Sequence, residues 1–155
     1  MTAVGDVDIL VVDWLGRGGI AQAADEWVHT IAETGATAHL VTRTGRELDA
    51  PTTTGAAEPF GGRLGPATAA AWHARLIALV VKAIRRRRPA VVVVHNYHHP
   101  VAELAVVTAC RHVGARLVVV AHNGRPHDGD PPRGIGELLR RADDVVCHSR
   151  FVADQ

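Results

Sequence analysis

Along its length the chain alternates short apolar runs with stretches whose apolar positions recur every three or four residues. Residues 7–12 are an apolar run long enough for a strand and too short for a helix. A glycine-rich turn follows, Gly16-Arg17-Gly18-Gly19, and then the period changes. Ile20, Ala24, Trp27, Val28 and Ile31 share one helical face. Gly35 stands where a helix closes on a left-handed residue. A second strand is expected over 38–42. Residues 44–66 are rich in Thr, Gly and Pro and show little periodicity. Their length is unusual for a loop in a compact domain. They are read as either a short strand near 56–60 or a mobile functional loop.

The helical period returns at Ala67, with Trp72, Leu76, Leu79, Val80, Ala83 and Ile84 on one face and Pro89 as its stop. Residues 90–94, nearly all Val, suit a central parallel strand covered on both faces. A helix over Pro100–Val113 closes at Gly114, and another Val-rich strand spans Arg116–Ala121. A short helix over 134–141 and a strand over Asp144–Cys147 come next. Ser149 is placed to cap a further helix from Phe151. Strands alternating with helices in this way predict an α/β fold, a Rossmann-like parallel sheet with helices on both faces.

Composition narrows the picture. At 155 residues, 47% hydrophobic and 21% charged, the chain is read as one folded domain over 1–155. Seventeen basic against 16 acidic residues give a formal charge of +1, which argues against a nucleic-acid partner. Four arginines at 85–88 occupy the last turn of the long helix. They complement its dipole and cover apolar surface with their stems. Contact with an anionic membrane surface is the second reading of that run. Cys110 and Cys147 form no disulfide framework or finger spacing and are expected to be buried free thiols. No basic-then-apolar leader and no membrane-length apolar run are seen, so a cytoplasmic location is expected, peripheral at the inner membrane face on the second reading.

In a parallel sheet, ligands bind beyond the carboxyl ends of the strands. Asp13 to Gly19 follow the first strand. His95, Asn96, Tyr97, His98 and His99 follow the central one. His122 and Asn123 follow the next, and His148 and Ser149 the last. The glycine turn can bring backbone N–H groups to a phosphate at a helix N-terminus. Its spacing is not that of a dinucleotide fingerprint, because Ala21 stands at the third glycine position. A tight turn without ligand fits the same residues. The histidines, with His127, Asp128 and Asp130, match no metal-ligand spacing, so no metal and no cofactor is expected. Sugar or phosphate hydrogen bonding and acid–base work suit them better. His39, His73 and His112 lie away from the strand ends and are read as structural.

Four segments together resemble one family. They are Gly18-Gly19-Ile20-Ala21-Gln22, the run from Arg88 through the Val-rich strand to His95-Asn96, the run from Ala115 to His122-Asn123, and the run from Leu138 through Cys147 to Phe151. In this order they are similar to the N-terminal domain of GT-B retaining glycosyltransferases of the glycogen-synthase and mannosyltransferase type, family 4. The resemblance implies the N-terminal half of a GT-B fold, which holds the acceptor while a second domain holds most of the sugar nucleotide. It implies that Gly18 and Gly19 face the donor diphosphate, that His122 approaches the transferred sugar as the catalytic-site histidine, and that Asn96, Tyr97, His98 and Asn123 line the acceptor side. The partners implied are a nucleotide diphosphate sugar and a sugar or lipid-linked acceptor. The paired-glutamate motif and basic pair of the second domain are not in this sequence. Activity is therefore expected to need a C-terminal domain or a partner, with self-association of the lone chain. The alternative is a non-catalytic nucleotide- or sugar-binding subunit.

Overall fold

The computed structural model describes residues 7–16, 18–43, 53–56, 66–95, 100–122 and 135–147. In chain order these form β1 (Asp8–Asp13), α1 (Gly18–Glu33), β2 (Thr37–Arg43), β3 (Thr53–Ala56), α2 (Pro66–Arg87), β4 (Val91–His95), α3 (Pro100–Val113), β5 (Arg116–Ala121), α4 (Ile135–Arg141) and β6 (Asp144–Cys147). The strands pair in parallel throughout, in the order β3-β2-β1-β4-β5-β6. The order reverses between β1 and β4, the position where open α/β sheets form a crevice.

The pleat sorts strand residues into two layers. Leu10, Val12, Val92, Val94, Leu117 and Val119 face one side, packed on Trp72, Leu76, Val80 and Ile84 of α2, Val106 and Cys110 of α3, and Leu138 of α4. Val11, Leu40, Val93 and Val120 face the other, against Ala24 and Val28 of α1. The expected Rossmann-like sheet with helices on both faces is the observed one.

Gly35 and Gly114 close α1 and α3 at φ 85° and 74°, and Arg88 closes α2 at φ 50°. Two expectations need correction. The strand in the unreadable segment lies at Thr53–Ala56, ahead of the expected 56–60. Its sequence, TTGA, carries no apolar alternation, and its place is fixed by pairing with residues 40–43 of β2. Cys147 is half-buried, because β6 ends the described sheet and Val145 and Val146 beside it are exposed.

Candidate functional site

The rows of side chains on the α1 face change character at the carboxyl edge. Two residues beyond Val11 comes Asp13, beyond Leu40 comes Thr42, and beyond Val93 comes His95. A step of two keeps each on the same face as the apolar residue before it. Among the described residues, the buried polar or charged side chains are Asp13, Thr42, His95 and Glu103. The first three end these rows. Glu103 lies in the first turn of α3, in the opposite layer, where a carboxylate favours the helix dipole.

Asp13 organises the turn after β1. Leu15 N–H donates to its Oδ1 at 2.9 Å, and Gly16 N–H lies 3.1 Å from Oδ1 and 3.0 Å from Oδ2. The Thr42 hydroxyl donates to Oδ2 at 3.1 Å and ties the end of β2 to the same turn. A fully buried carboxylate is tolerable because hydrogen bonds replace its lost water. The consequence corrects a simple cradle reading of the turn. The N–H groups of Leu15 and Gly16 are spent on Asp13, so an anion would have to meet the start of α1 instead.

That start suits one. The first turn of α1 holds no acidic residue. Gly18 and Gly19 are exposed, and a Cβ built on either meets no atom within 4 Å. Gly18 has φ +63°, so any side chain there is strained, whereas Gly19 carries no such restriction. Both glycines thus border open space at the positive end of a helix.

His95 and His122 come together across the ends of β4 and β5. Nδ1 of His95 lies 3.2 Å from Nε2 of His122, with ring centroids 5.4 Å apart and planes tilted by 40°. Trp27 of α1 meets His95 edge-on, at 5.6 Å between centroids and 84° between planes. His95 pairs in register with Asp13 on one side and Val120 on the other. It is fully buried, while His122 is half-buried. Of the residues expected at the site, the structure therefore places Gly18, Gly19 and His122 at the carboxyl edge on the α1 side of the sheet. Asn96, Tyr97, His98 and Asn123 lie outside the described residues, as do His99, His127, Asp128, Asp130, His148 and Ser149. Reading the sequence left the buried role of Asp13 and the position of Glu103 unnoticed. The step of two beyond the last apolar residue was the available signal for Asp13. Among the described residues, no group of three or more His, Cys, Asp or Glu side chains could hold a metal ion. No described helix is long and apolar enough to cross a membrane.

The arginines of the α2 C-terminus stand at the opposite edge. Arg87 pairs with Asp8 at the start of β1, Nε to Oδ2 at 3.1 Å and Nη2 to Oδ1 at 3.2 Å. His112 is exposed in the last turn of α3, away from the site.

No protein-family model and no curated protein matches the sequence. Solved structures share its fold. MurG of Acinetobacter baumannii matches at a TM-score of 0.64 and 11% identity, over 92% of this chain and 42% of that one. UDP-GlcNAc 2-epimerase of Methanocaldococcus jannaschii matches at 0.61 and 11% identity, over 96% of this chain and 41% of that one. A short-chain dehydrogenase/reductase of Veillonella parvula matches at 0.54 and 16% identity, over 91% of this chain and 67% of that one. The chain thus spans about two fifths of the length of the first two. At these identities the likeness is one of fold, a Rossmann-like α/β domain of the kind found in GT-B proteins.

Proposed function

We propose that this chain is the acceptor-side half of a retaining glycosyltransferase that moves a sugar from a nucleotide diphosphate sugar to a sugar or lipid-linked acceptor. One observation carries the reading. Open space above Gly18 and Gly19 lies at the N-terminus of α1, on the same edge and face of the sheet as His122. Charge grows on the leaving diphosphate as the glycosidic bond breaks, and fixed N–H donors at a helix start stabilise it. His122 would hydrogen bond the transferred sugar. Asn96, Tyr97, His98 and Asn123, which the resemblance places on the acceptor side, follow β4 and His122 in sequence. The name of the epimerase that shares the fold includes a UDP-sugar, which agrees with the donor class. The dehydrogenase match shows why the fold does not decide the matter and the site must.

The second reading is a subunit that binds a nucleotide or sugar without turnover. It is favoured by the Asp13 carboxylate, which occupies two turn N–H groups that a diphosphate could otherwise use. Neither reading involves a metal ion, a cofactor or nucleic acid. Both are set in the cytoplasm, and the arginines at 85–88 would give any membrane contact from the edge opposite the site.

A donor-panel assay tests the proposal. The chain alone gives no transfer with any nucleotide sugar, and robust turnover by it would sink the half-enzyme reading. Joined to the domain or partner that completes the cleft, it transfers from one donor. There Gly19→Val costs roughly 30- to 1000-fold in rate by blocking the diphosphate, and His122→Ala costs a similar factor through the sugar. Gly19 is a cleaner probe than Gly18, whose φ of +63° would strain the fold itself. His112→Ala is the silent control. A folded His122→Ala enzyme within a few-fold of wild type removes His122 from the chemistry.

A further inference from the structure

We propose that His95 is a positioning residue for His122, fixing both the orientation of its ring and the nitrogen that carries its proton. The inference rests on the reading that His122 meets the transferred sugar. The pair geometry under it does not.

A hydrogen bond between two imidazole nitrogens needs one N–H and one lone pair. At 3.2 Å, the Nδ1 of His95 and the Nε2 of His122 therefore hold one proton between them. Each direction of the bond fixes a different tautomer of His122, because the state of Nε2 decides that of Nδ1, so the ring held more firmly sets the direction for both. His95 is the better fixed of the two. It is the last residue of β4, between the neighbouring strands β1 and β5, and it is fully buried. The edge of Trp27 closes on its ring from α1. His122 follows the end of β5, where the ladder no longer holds it, and is half-buried. A ring on such a bend is oriented by its partner rather than by its own backbone. The chain of support runs from Trp27 through His95 to His122, so the helix that offers its N-terminus to the diphosphate also steadies the histidine beside it.

The test is nitrogen NMR on the chain labelled at histidine, which needs no substrate. In the unaltered chain at neutral pH, His122 shows one dominant tautomer and a coupling across the hydrogen bond from its Nε2 to Nδ1 of His95. The preference corresponds to about a tenfold population ratio, the size expected of one neutral hydrogen bond. His95→Phe fills the space without a polar atom, and the His122 tautomers then approach equal population. His95→Asn keeps a polar atom near the Nδ1 position and restores the single tautomer. In the completed enzyme, His95→Phe lowers kcat about 10- to 100-fold with KM nearly unchanged, and His95→Asn recovers most of it. An unaltered His122 tautomer in folded His95→Phe overturns the proposal. If that variant does not fold, absence of the coupling in the unaltered chain overturns it instead. A coupled pair whose His122→Ala enzyme keeps full activity defeats the glycosyltransferase reading and leaves the pair standing.

Discussion

At the carboxyl edge of the sheet, polar groups are buried and bonded to one another. At the amino edge, charged groups are exposed and pair across the surface. Asp13 and His95 belong to the first kind. The Arg87–Asp8 and Arg116–Asp144 pairs belong to the second. The amino edge also holds a cavity of about 560 Å³, lined by Val107, Cys110, Leu117, Arg111, Arg116 and Arg141 among others. A cavity rich in cations would suggest an anion site there. The cations in it have a simpler cause. Arg111 and Arg141 belong to the basic last turns of α3 and α4, where they meet the negative ends of the helix dipoles, and Arg116 at the start of β5 pairs with Asp144. Exposed charge costs little to place, so it carries little information. Buried polar groups must be repaid by specific partners, and a fold keeps them only where something holds them. The carboxyl edge is the better-specified of the two.

The two cysteines give the comparison its largest measurable contrast. Cys110 lines the amino-edge cavity and is buried. Burial, then the Asp143 carboxylate, pushes its thiol from an ordinary 9.0 up to about 12. Cys147 ends β6 at the carboxyl edge and is half-buried. A thiolate is the reactive form, so this shift alone suppresses Cys110 about a thousandfold at neutral pH. Iodoacetamide followed by peptide mapping should label Cys147 in the native chain and Cys110 only in denaturant. Equal labelling of both would show that the amino-edge layer opens readily.

Asp13→Ala should be the most destabilising single change at the carboxyl edge. It strips the acceptor from the N–H groups of Leu15 and Gly16 and from the Thr42 hydroxyl. The expected loss is about 3 kcal/mol, roughly a hundredfold in the folding equilibrium, read from urea denaturation. Asp143→Ala at the amino edge removes a bond from Leu117 N–H at 2.7 Å and should lose clearly less. The reverse ranking would reverse the assignment of specificity to the two edges.

Much of this was legible in the sequence, and what was not has physical causes. Periodicity placed β1, β2, β4, β5, β6 and α1 to α4 because each carries its own apolar positions. β3 was misplaced because TTGA has no such face, and its pairing to β2 is non-local. The rule that ligands gather after parallel strands pointed to Gly18, Gly19 and His122, and the structure places all three at the carboxyl edge. Position after a strand could not show that His95 is buried against His122, nor that Asp13 turns inward to hold its own turn. Those are matters of register between strands distant in sequence.

A smaller effect concerns His39, which faces the α2 layer beside Lys82, Arg86 and Arg87. Burial, then the Arg87 guanidinium, holds its imidazole below the usual 6.5, with Asp8 opposing. The folded chain therefore resists a proton that the unfolded chain accepts. Stability on this account is full above pH 6.5 and falls as acid takes the pH down through the lowered value. The slope of stability against pH below 6.5 should be shallower in His39→Gln than in the unaltered chain. Identical slopes would mean that His39 titrates alike in both states.

The least effect is expected from the most conspicuous contact of the amino edge. Arg116 and Asp144 meet at 2.6 Å and 2.9 Å through two N–H donors, and the pairing holds the Asp144 carboxyl below and the Arg116 guanidinium above their ordinary values. Both groups are nevertheless in water. Water solvates each well without the other, salt screens their attraction, and fixing two side chains costs rotamer freedom. The depressed Asp144 value makes its share of stability present at neutral pH and lost as acid protonates the carboxylate. Asp144→Asn should thus shift the thermal midpoint less than any change above, and the shift should shrink further in 1 M salt. A loss as large as that of Asp13→Ala, insensitive to salt, would mean that this pair is shielded and that the amino edge is as closely specified as the other.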